Sequence, residues 1–110
     1  MSEFITFKRW ALRDGRQESE LVNLVREEII PHYEKLPGCL RLGLLHIAGT
    51  RSYLALQHWK NRDTWLATIE SDYYESWYEA YTPTLERWDK LMIFEEEWQS
   101  EDLLDTGSGV

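Results

Sequence analysis

Three polar side chains that could do chemistry lie within otherwise apolar stretches of the sequence, namely Lys8, His46 and Gln57. The imidazole of His46 has an unperturbed pKa near neutrality, so this side chain could accept a proton from a bound molecule. The ammonium group of Lys8 could hold an enolate or a phenolate. Gln57 needs a hydrogen-bond partner if it is buried, and either a ligand carbonyl or a backbone group would serve. The alternative for His46 is a core histidine whose ring nitrogens are satisfied internally.

Trp59 is predicted to share a strand face with Gln57, and its indole N–H could donate a hydrogen bond to a substrate oxygen. Packing where the strand meets the next helix is the competing interpretation, since buried tryptophans usually supply core area. Trp10 shares a face of the first strand with Lys8 and could reach the same cavity. Further aromatic residues recur at helical spacing and indicate either a core stripe or a pocket wall for a flat, quinone-like guest: Trp65, Trp77, Tyr78 and Tyr81.

The remaining ionisable residues show no recognisable site. Strand alternation puts His58 on the face opposite Trp59, which favours a structural role, and His32 follows Pro31 near a helix end. The three histidines and the single cysteine, Cys39, lack the spacing of metal ligands. The sequence has no glycine-rich phosphate loop and no nucleophile elbow. These residues therefore indicate no metal site, no nucleotide site and no covalent nucleophile.

Composition and charge narrow the possible partners. The net charge of −8 opposes binding to nucleic acid and to anionic membrane surfaces. No run approaches the roughly 20 apolar residues of a membrane span. The first ten residues, MSEFITFKRW, lack the layout of a signal peptide. One cysteine can form no intrachain disulfide, so a reducing cytoplasm is the expected location.

A hairpin with apolar arms at residues 39–48 and 53–59 is the centre of the predicted fold. Periodicity elsewhere predicts a first strand, three helical segments and a last strand, at residues 3–12, 17–36, 62–70, 73–81 and 85–98. Pro31 is expected to kink or reset the first helix, and Pro83 to stop the third near Tyr81.

The order β-α-β-β-α-β predicts an α+β fold of the ferredoxin-like, split βαβ kind, a four-stranded antiparallel sheet with helices on one face. Both faces of the hairpin carry large apolar groups, whereas a sheet with one face exposed to solvent would show a clearer alternation of apolar and polar residues. We therefore expect a homodimer in which a second copy covers the other sheet face. Residues 1–99 form the predicted domain, and the acidic residues 100–110 are expected to be a mobile tail.

Four short segments carry a family likeness: PGCL at 37–40, QHW at 57–59, WKNRD at 59–63 and SDYY at 71–74. In this order and spacing, over about residues 4–98, the chain resembles the antibiotic biosynthesis monooxygenase family of dimeric α+β barrels. The resemblance implies small oxygenases that often need neither metal nor flavin. In some members an electron-rich phenol or quinol loses a proton and itself reduces O₂. The protein then contributes a dry cavity, orientation and hydrogen bonds to the developing anion.

The resemblance also implies roles for the residues singled out above, with a small aromatic molecule and O₂ as substrates. Trp59 and Gln57 would orient the substrate, and either His46 or Lys8 would favour its anion. The aromatic wall of the substrate site would be formed by Trp10, Trp65, Trp77 and Tyr78.

Two other functions stay open. A haem-degrading branch of the family uses an Asn on the first strand, and a Trp and a His on the second helical region. The corresponding positions here are Lys8, Thr68 and Tyr78, and none of them matches. This mismatch argues against haem degradation by that route, and a haem or tetrapyrrole binder is the first alternative. The second alternative is a non-catalytic dimeric module that binds a small ligand.

Overall fold

The computed structural model describes residues 3–101. The strands are β1 (Phe4–Leu12), β2 (Cys39–His46), β3 (Ser52–Trp59) and β4 (Met92–Glu101). The helices are α1 (Glu18–Leu24), α2 (Ile30–Tyr33), α3 (Arg62–Ile69) and α4 (Asp72–Leu91), with a π-helical turn at Val25–Ile29 between α1 and α2. The strands form one antiparallel sheet in the order β2-β3-β1-β4. This arrangement confirms the ferredoxin-like, split βαβ fold expected from the sequence.

β1 lies at the centre of the sheet and pairs with both β3 and β4. Thr6 is opposite Gln57 on β3, and Lys8 is opposite Ala55 on β3 and Glu97 on β4. Directly opposed residues in an antiparallel pair share a face, so these side chains all point to one side of the sheet. Residues of α2 and α4 line the same cavity as Thr6, Lys8 and Gln57, so this side is the one that the helices cover.

β2 departs from simple alternation at its start. Its register against β3 shifts between Cys39 and Arg41, which leaves Leu40 as an extra residue, 58% exposed. Beyond the shift, Leu42 is opposite Gln57 and faces the helices. Simple alternation would put Leu40 and Leu42 on one face. The irregularity interrupts that alternation, because it sets two residues of β2 against one residue of β3.

The first helical region continues through Pro31, and the segment that contains the proline, α2, is a separate short helix, as expected for a reset at Pro31. The N–H of Ile30 donates to the carbonyl of Val25, five residues earlier, which closes a π-helical turn directly before the proline. Pro31 has no N–H to donate to the carbonyl four residues before it. The π-helical turn replaces a hydrogen bond of four-residue spacing by one of five-residue spacing, at the place where the helix would lack a hydrogen bond anyway because of the proline. The helical region then ends at Tyr33, three residues before the predicted end.

α4 corrects the prediction that Pro83 ends the helix near Tyr81. The helix continues to Leu91, because a stripe of buried side chains runs through the proline at helical spacing: Trp77, Tyr81, Thr84, Trp88 and Leu91. An interior proline costs about 3 kcal/mol. Each large side chain gains roughly 1.5–3 kcal/mol on burial, so the contacts beyond Pro83 outweigh that cost.

The predicted last strand at residues 85–98 is wrong at its beginning for the same reason. Its first seven residues belong to α4, and β4 begins at Met92. At its other end β4 extends through Ser100 to Glu101, beyond the domain boundary placed at residue 99. The rest of the expected acidic tail, residues 102–110, lies outside the described residues.

The core fills the layer between the sheet and the helices. Its most completely buried side chains are Phe4, Leu21, Trp59 and Met92. Asn61 and Ser71 cap α3 and α4 by accepting from the N–H of Thr64 and of Tyr74.

Gly38 turns the chain from the first helical region into β2. Its φ of +90° is one that favours glycine. A Cβ at this position would lie 2.3 Å from Cγ2 of Thr64, so the turn also brings the backbone close to α3.

The opposite face of the sheet carries large apolar side chains that this chain leaves partly exposed. Leu45, Ile93 and Trp98 are 53%, 46% and 39% exposed, and Trp98 stacks on Phe7 with ring centroids 5.2 Å apart. These four residues define what we call the outer patch. Within residues 3–101, no helix has both the length and the apolar character to cross a membrane.

Candidate functional site

Two adjoining hollows of about 320 and 400 Å³ lie between the sheet and the helices. Both are lined by the same seven residues, so we treat them as two lobes of one cavity: Thr6, Lys8, Tyr33, Gln57, Tyr78, Tyr81 and Leu85. The Trp88 lobe extends to Trp10, Leu44, Ala55 and Trp88. The Trp59 lobe extends to Trp59, Trp65, Tyr74 and Trp77. Such sizes and an aromatic lining suit a small flat molecule.

A hydrogen-bond chain organises the Trp59 lobe. The indole N–H of Trp59 donates to Oε1 of Gln57 at 3.1 Å, and Nε2 of Gln57 donates to the hydroxyl of Tyr33 at 3.1 Å. Trp59 is only 1% exposed. In this conformation the N–H of Trp59 is therefore used inside the protein, and Gln57 uses both ends of its amide. These two residues hold the Tyr33 hydroxyl in place.

Tyr33 and Tyr81 bring two phenol groups to the place where the lobes meet. Their rings pack edge to face with centroids 5.5 Å apart. Burial raises the pKa of Tyr33 well above its ordinary value, with smaller contributions from the neighbouring tyrosines. Burial likewise raises the pKa of Tyr81, against an opposing effect of the Tyr33 hydroxyl. Both phenols are thus neutral near pH 7 and can act as hydrogen-bond donors but not as bases.

Lys8 supplies the positive charge of the cavity. It lines both lobes, and it is the one cationic residue among the residues that form them. Within residues 3–101 its ammonium group forms no ion pair. Two exposed carboxylate residues, Asp89 and Glu97, also border the cavity, one in each lobe.

None of the three histidines lines this cavity. His46 lies at the end of β2, where its ring stacks on Tyr53 and its Nε2 lies 2.7 Å from the carbonyl oxygen of Thr50. His46 lies on the helix-covered face, opposite Tyr53 on β3, yet its position along β2 takes it away from the cavity.

The other two histidines have structural partners. His58 lies on the outer face, with Nδ1 2.6 Å from a carboxylate oxygen of Glu3 and Nε2 3.4 Å from Arg41. His32 stacks on Trp77 at 4.5 Å and lies 2.9 Å from its carbonyl oxygen, while the Trp77 N–H donates to the carbonyl of His32. This reciprocal pair fastens α2 to α4.

The predicted wall residues all border the cavity. Trp10 belongs to the Trp88 lobe, and Trp65 and Trp77 belong to the Trp59 lobe. Tyr78 borders both lobes and is 47% exposed, so its ring lies at the solvent edge. Trp77 packs against Tyr33 with ring centroids 4.9 Å apart, so the wall and the hydrogen-bond chain support each other.

Trp88 is a residue of the cavity that the sequence interpretation missed. It is 6% exposed, and its Nε1 is the one buried side-chain polar atom without a hydrogen-bond partner in the described part of the chain. A buried unpaired donor costs about 1–3 kcal/mol. The interpretation of residues 85–98 as a strand hid Trp88, and Tyr33 was hidden by its position just beyond Pro31. The signal for Trp88 was its helical spacing from Trp77 and Tyr81.

A further hollow of about 490 Å³ lies on the surface beside α3 and is largely open to solvent. Two of its polar groups already donate to backbone carbonyls, the Thr68 hydroxyl to Pro37 at 3.0 Å and the Tyr73 hydroxyl to Lys35 at 3.1 Å. It therefore offers a ligand fewer free polar groups than the cavity does. Among residues 3–101, His, Cys, Asp and Glu side chains form no group of three or more that could hold a metal ion.

Comparison with known proteins identifies the fold. No protein-family model and no curated protein matches the chain. Among solved structures it is similar to SnoaB, a cofactor-independent oxygenase from Streptomyces nogalater, with 14% identity and a TM-score of 0.69 over 96% of this chain and 98% of that one. It is also similar to HapK from Hahella chejuensis, with 20% identity and a TM-score of 0.61 over 98% and 96% of the two chains.

A third similar structure, from Chloroflexus aurantiacus, is only provisionally assigned as an antibiotic biosynthesis monooxygenase. It has 14% identity and a TM-score of 0.59 over 98% of this chain and all of that one. Nearly full coverage in both directions means that the whole described domain takes part in the likeness. The resemblance to the antibiotic biosynthesis monooxygenases is thereby confirmed at the level of the fold.

Proposed function

We propose that the chain is a cofactor-independent monooxygenase that oxidises a small phenol- or quinol-type aromatic molecule with O₂. The observation that carries this proposal is the cavity itself, in which one lysine and two neutral phenols lie within aromatic walls. The likeness to SnoaB, whose description is a cofactor-independent oxygenase, supports the proposal through the fold.

The chemistry needs no external reductant when the substrate carries a CH₂ group conjugated to its phenol or enol oxygen. Transfer of a proton to water gives an electron-rich anion, which transfers one electron to O₂. The resulting radicals combine at that carbon, and the peroxide anion takes a proton back from water to give a hydroperoxide. Loss of water then converts the CH₂ group to C=O. One oxygen atom enters the product and the other leaves as water, and the substrate supplies all four electrons.

The protein residues act on the charge that develops during these steps. Lys8 lowers the energy of the substrate anion through the Coulomb attraction between its ammonium group, which lines the cavity, and the ionised oxygen. We assign this role to Lys8 rather than to His46, because Lys8 lines the cavity and His46 does not. Tyr33 and Tyr81 donate to a second substrate oxygen, and the aromatic walls hold the ring plane and exclude water.

Gln57 and Trp59 contribute indirectly to this proposal. Gln57 donates to the oxygen of the Tyr33 hydroxyl, so the hydroxyl proton of Tyr33 points to an acceptor on its other side, which is either Tyr81 or a substrate oxygen. Trp59 fixes the orientation of the Gln57 amide. These two residues therefore position Tyr33, and the substrate-orienting role predicted for them becomes a role through Tyr33.

Oxygen uptake with a panel of anthrones and hydroquinones tests the proposal. Wild-type protein freed of metals by chelation should consume one O₂ for each anthrone converted to quinone, and ¹⁸O₂ should place one labelled atom in the product. A folded protein that converts none of the panel above the uncatalysed rate would contradict the proposal. That result would favour the non-catalytic binding module.

The haem-binding alternative receives no support from the cavity. An axial histidine would have to lie in its wall, and His32, His46 and His58 all lie elsewhere with partners of their own. Hemin titration followed by visible absorption gives a direct check, and we expect no shift of the absorption band.

We also propose that the outer patch is covered by a second copy of the chain. Several large apolar side chains left exposed on one sheet face are typical of an interaction site. A second identical sheet offers a matching apolar face, since a twofold interface uses the same patch on both copies. Light scattering at micromolar concentration should give twice the chain mass of 13.2 kDa.

Leu45→Glu places a charge in the outer patch and should shift the protein to monomer, whereas Ala48→Glu in the exposed loop should leave the dimer intact. A wild-type monomer would contradict the proposed dimer.

A further inference from the structure

Trp88 differs from the other buried polar side chains of the cavity. It packs edge to face against Trp10 with ring centroids 5.2 Å apart, and it lines the same lobe as Lys8. Its N–H has no partner and no contact with solvent. Natural proteins rarely leave a buried donor in this condition, and the exceptions ask for an explanation.

A ligand oxygen explains the unpaired donor better than packing does. Packing alone needs only the apolar area of the side chain, and leucine or phenylalanine would supply such area without an unpaired N–H. The lobe also contains the ammonium group of Lys8, which forms no ion pair within the described residues. A cation that lines a cavity and an N–H donor buried in its wall are the two kinds of group that can stabilise a negatively charged oxygen.

We propose that Trp88 is a second oxyanion donor, whose indole N–H and the Lys8 ammonium together bind the ionised oxygen of the substrate ring. This inference rests on the proposed function and adds a substrate requirement to it. The ring held in the Trp88 lobe must carry an ionisable hydroxyl group or its enol equivalent. In the present conformation Nε1 of Trp88 is shielded from solvent, so the indole has to turn toward the cavity to make the bond. The turn breaks no hydrogen bond, but it moves the edge-to-face contact with Trp10.

The arrangement of the two lobes agrees with this assignment. In the Trp59 lobe the indole N–H of Trp59 is already bonded to Gln57, so a ligand oxygen there would have to displace a partner. In the Trp88 lobe no such competition exists. The reacting oxygen is therefore placed between Lys8 and Trp88, and a second substrate oxygen reaches Tyr33 and Tyr81 where the lobes meet.

The test measures the pKa of a bound phenol in the absence of turnover. The probe is 2-naphthol, whose phenolate absorbs at longer wavelength than the phenol, and 2-methylnaphthalene is the control ligand without an oxygen. Wild-type protein should lower the pKa of bound 2-naphthol below its value in water. Trp88→Phe should raise that bound pKa by about one unit, a tenfold weaker preference for the anion, and Lys8→Met by more. Affinity for 2-methylnaphthalene should change less than threefold in Trp88→Phe.

A measurement on the wild-type protein covers the case in which Trp88→Phe does not fold. In ¹⁵N spectra the Trp88 indole resonance should move downfield with 2-naphtholate and stay in place with 2-methylnaphthalene. An equal bound pKa in wild type and Trp88→Phe, or an unmoved indole resonance, would overturn the inference even if the protein oxidises quinols. Conversely, a lowered and Trp88-dependent pKa would support the inference even if no substrate of the panel is oxidised.

Discussion

The two lobes of the cavity share seven lining residues but differ in whether their indole N–H groups are hydrogen-bonded. In the Trp59 lobe, Trp59, Gln57 and Tyr33 form a continuous hydrogen-bond chain. In the Trp88 lobe, the Trp88 N–H has no hydrogen bond, and the ammonium group of Lys8, which borders both lobes, has no ion-pair partner within residues 3–101. The difference teaches that a cavity can contain a part that stabilises the fold and a part that is left for a ligand. Substitutions should therefore separate the two lobes, with stability lost in one and activity in the other.

The largest expected effect is on activity in the Trp88 lobe. Lys8→Met keeps the apolar stem and removes the charge, so kcat/KM for quinol oxidation should fall about 100-fold, or about 2.7 kcal/mol of transition-state stabilisation. Its free energy of unfolding should change by less than about 0.5 kcal/mol, because no ion pair is lost. Lys60→Met is the matched control, an exposed lysine outside the cavity that should retain full activity. Retained turnover in Lys8→Met would contradict the assignment of activity to the Trp88 lobe and of stability to the Trp59 lobe.

The next effect is on stability in the Trp59 lobe. Trp59→Phe removes the donor to Gln57 and part of a fully buried ring, so the free energy of unfolding should fall by about 2 kcal/mol. For a domain of this size that corresponds to a Tm lower by roughly 8–16 °C. Calorimetry measures both values.

Trp65→Phe is the control for Trp59→Phe, since this half-buried indole N–H makes no hydrogen bond within residues 3–101 and its loss should cost less. Equal losses in the two variants would mean that ring volume, and not the hydrogen-bond chain, stabilises this lobe.

The smallest effect is a pH dependence that the Trp59 side of the cavity should produce. Burial raises the pKa of Cys39 to about 11 and also raises the pKa of Tyr33 and of Tyr81. The unfolded chain releases these protons at lower pH than the folded protein does, so unfolding is favoured as the pH rises. We expect the free energy of unfolding to be steady up to about pH 8, to fall by about 1 kcal/mol by pH 9.5, and to fall more steeply at higher pH.

Urea titrations at pH 7, 9 and 11 check this dependence, with tyrosinate absorbance recorded in parallel. Stability that increases above pH 9 would contradict the burial of these groups.

Much of the fold could be predicted because it depends on local patterns. The alternation of Phe4, Thr6, Lys8 and Trp10 correctly placed these side chains on one strand face, since neighbouring residues of a strand point to opposite sides. The cap at Asn61 is equally local, because an asparagine side chain can accept from a helix N-terminus in any tertiary context. His46 shows the limit of such patterns. Alternation along β2 determines which face a side chain is on, but the distance of His46 from the cavity depends on where the helices cross the sheet.

The two prolines explain why the sequence analysis missed two residues of the cavity, Trp88 and Tyr33. A proline is a local signal to stop a helix, so the sequence alone favoured an end near Tyr81 and concealed Trp88 on the continuing helix. Likewise, Pro31 interrupts the predicted helix two residues before Tyr33, so no local pattern indicated that Tyr33, in the segment after the π-helical turn, lines the cavity.

The amino-acid sequence by itself determined the kinds of elements, the faces of the strands and the presence of one lysine among many aromatic rings. Only the tertiary structure decided that α4 passes through Pro83, that Gln57 joins Trp59 to Tyr33, and that Trp88 is left with a free N–H. The physical reason is the range of the forces involved. Side-chain alternation and capping act between near neighbours in the chain, whereas burial and hydrogen-bond pairing in the cavity join residues from distant parts of the sequence, whose meeting only the folded chain determines.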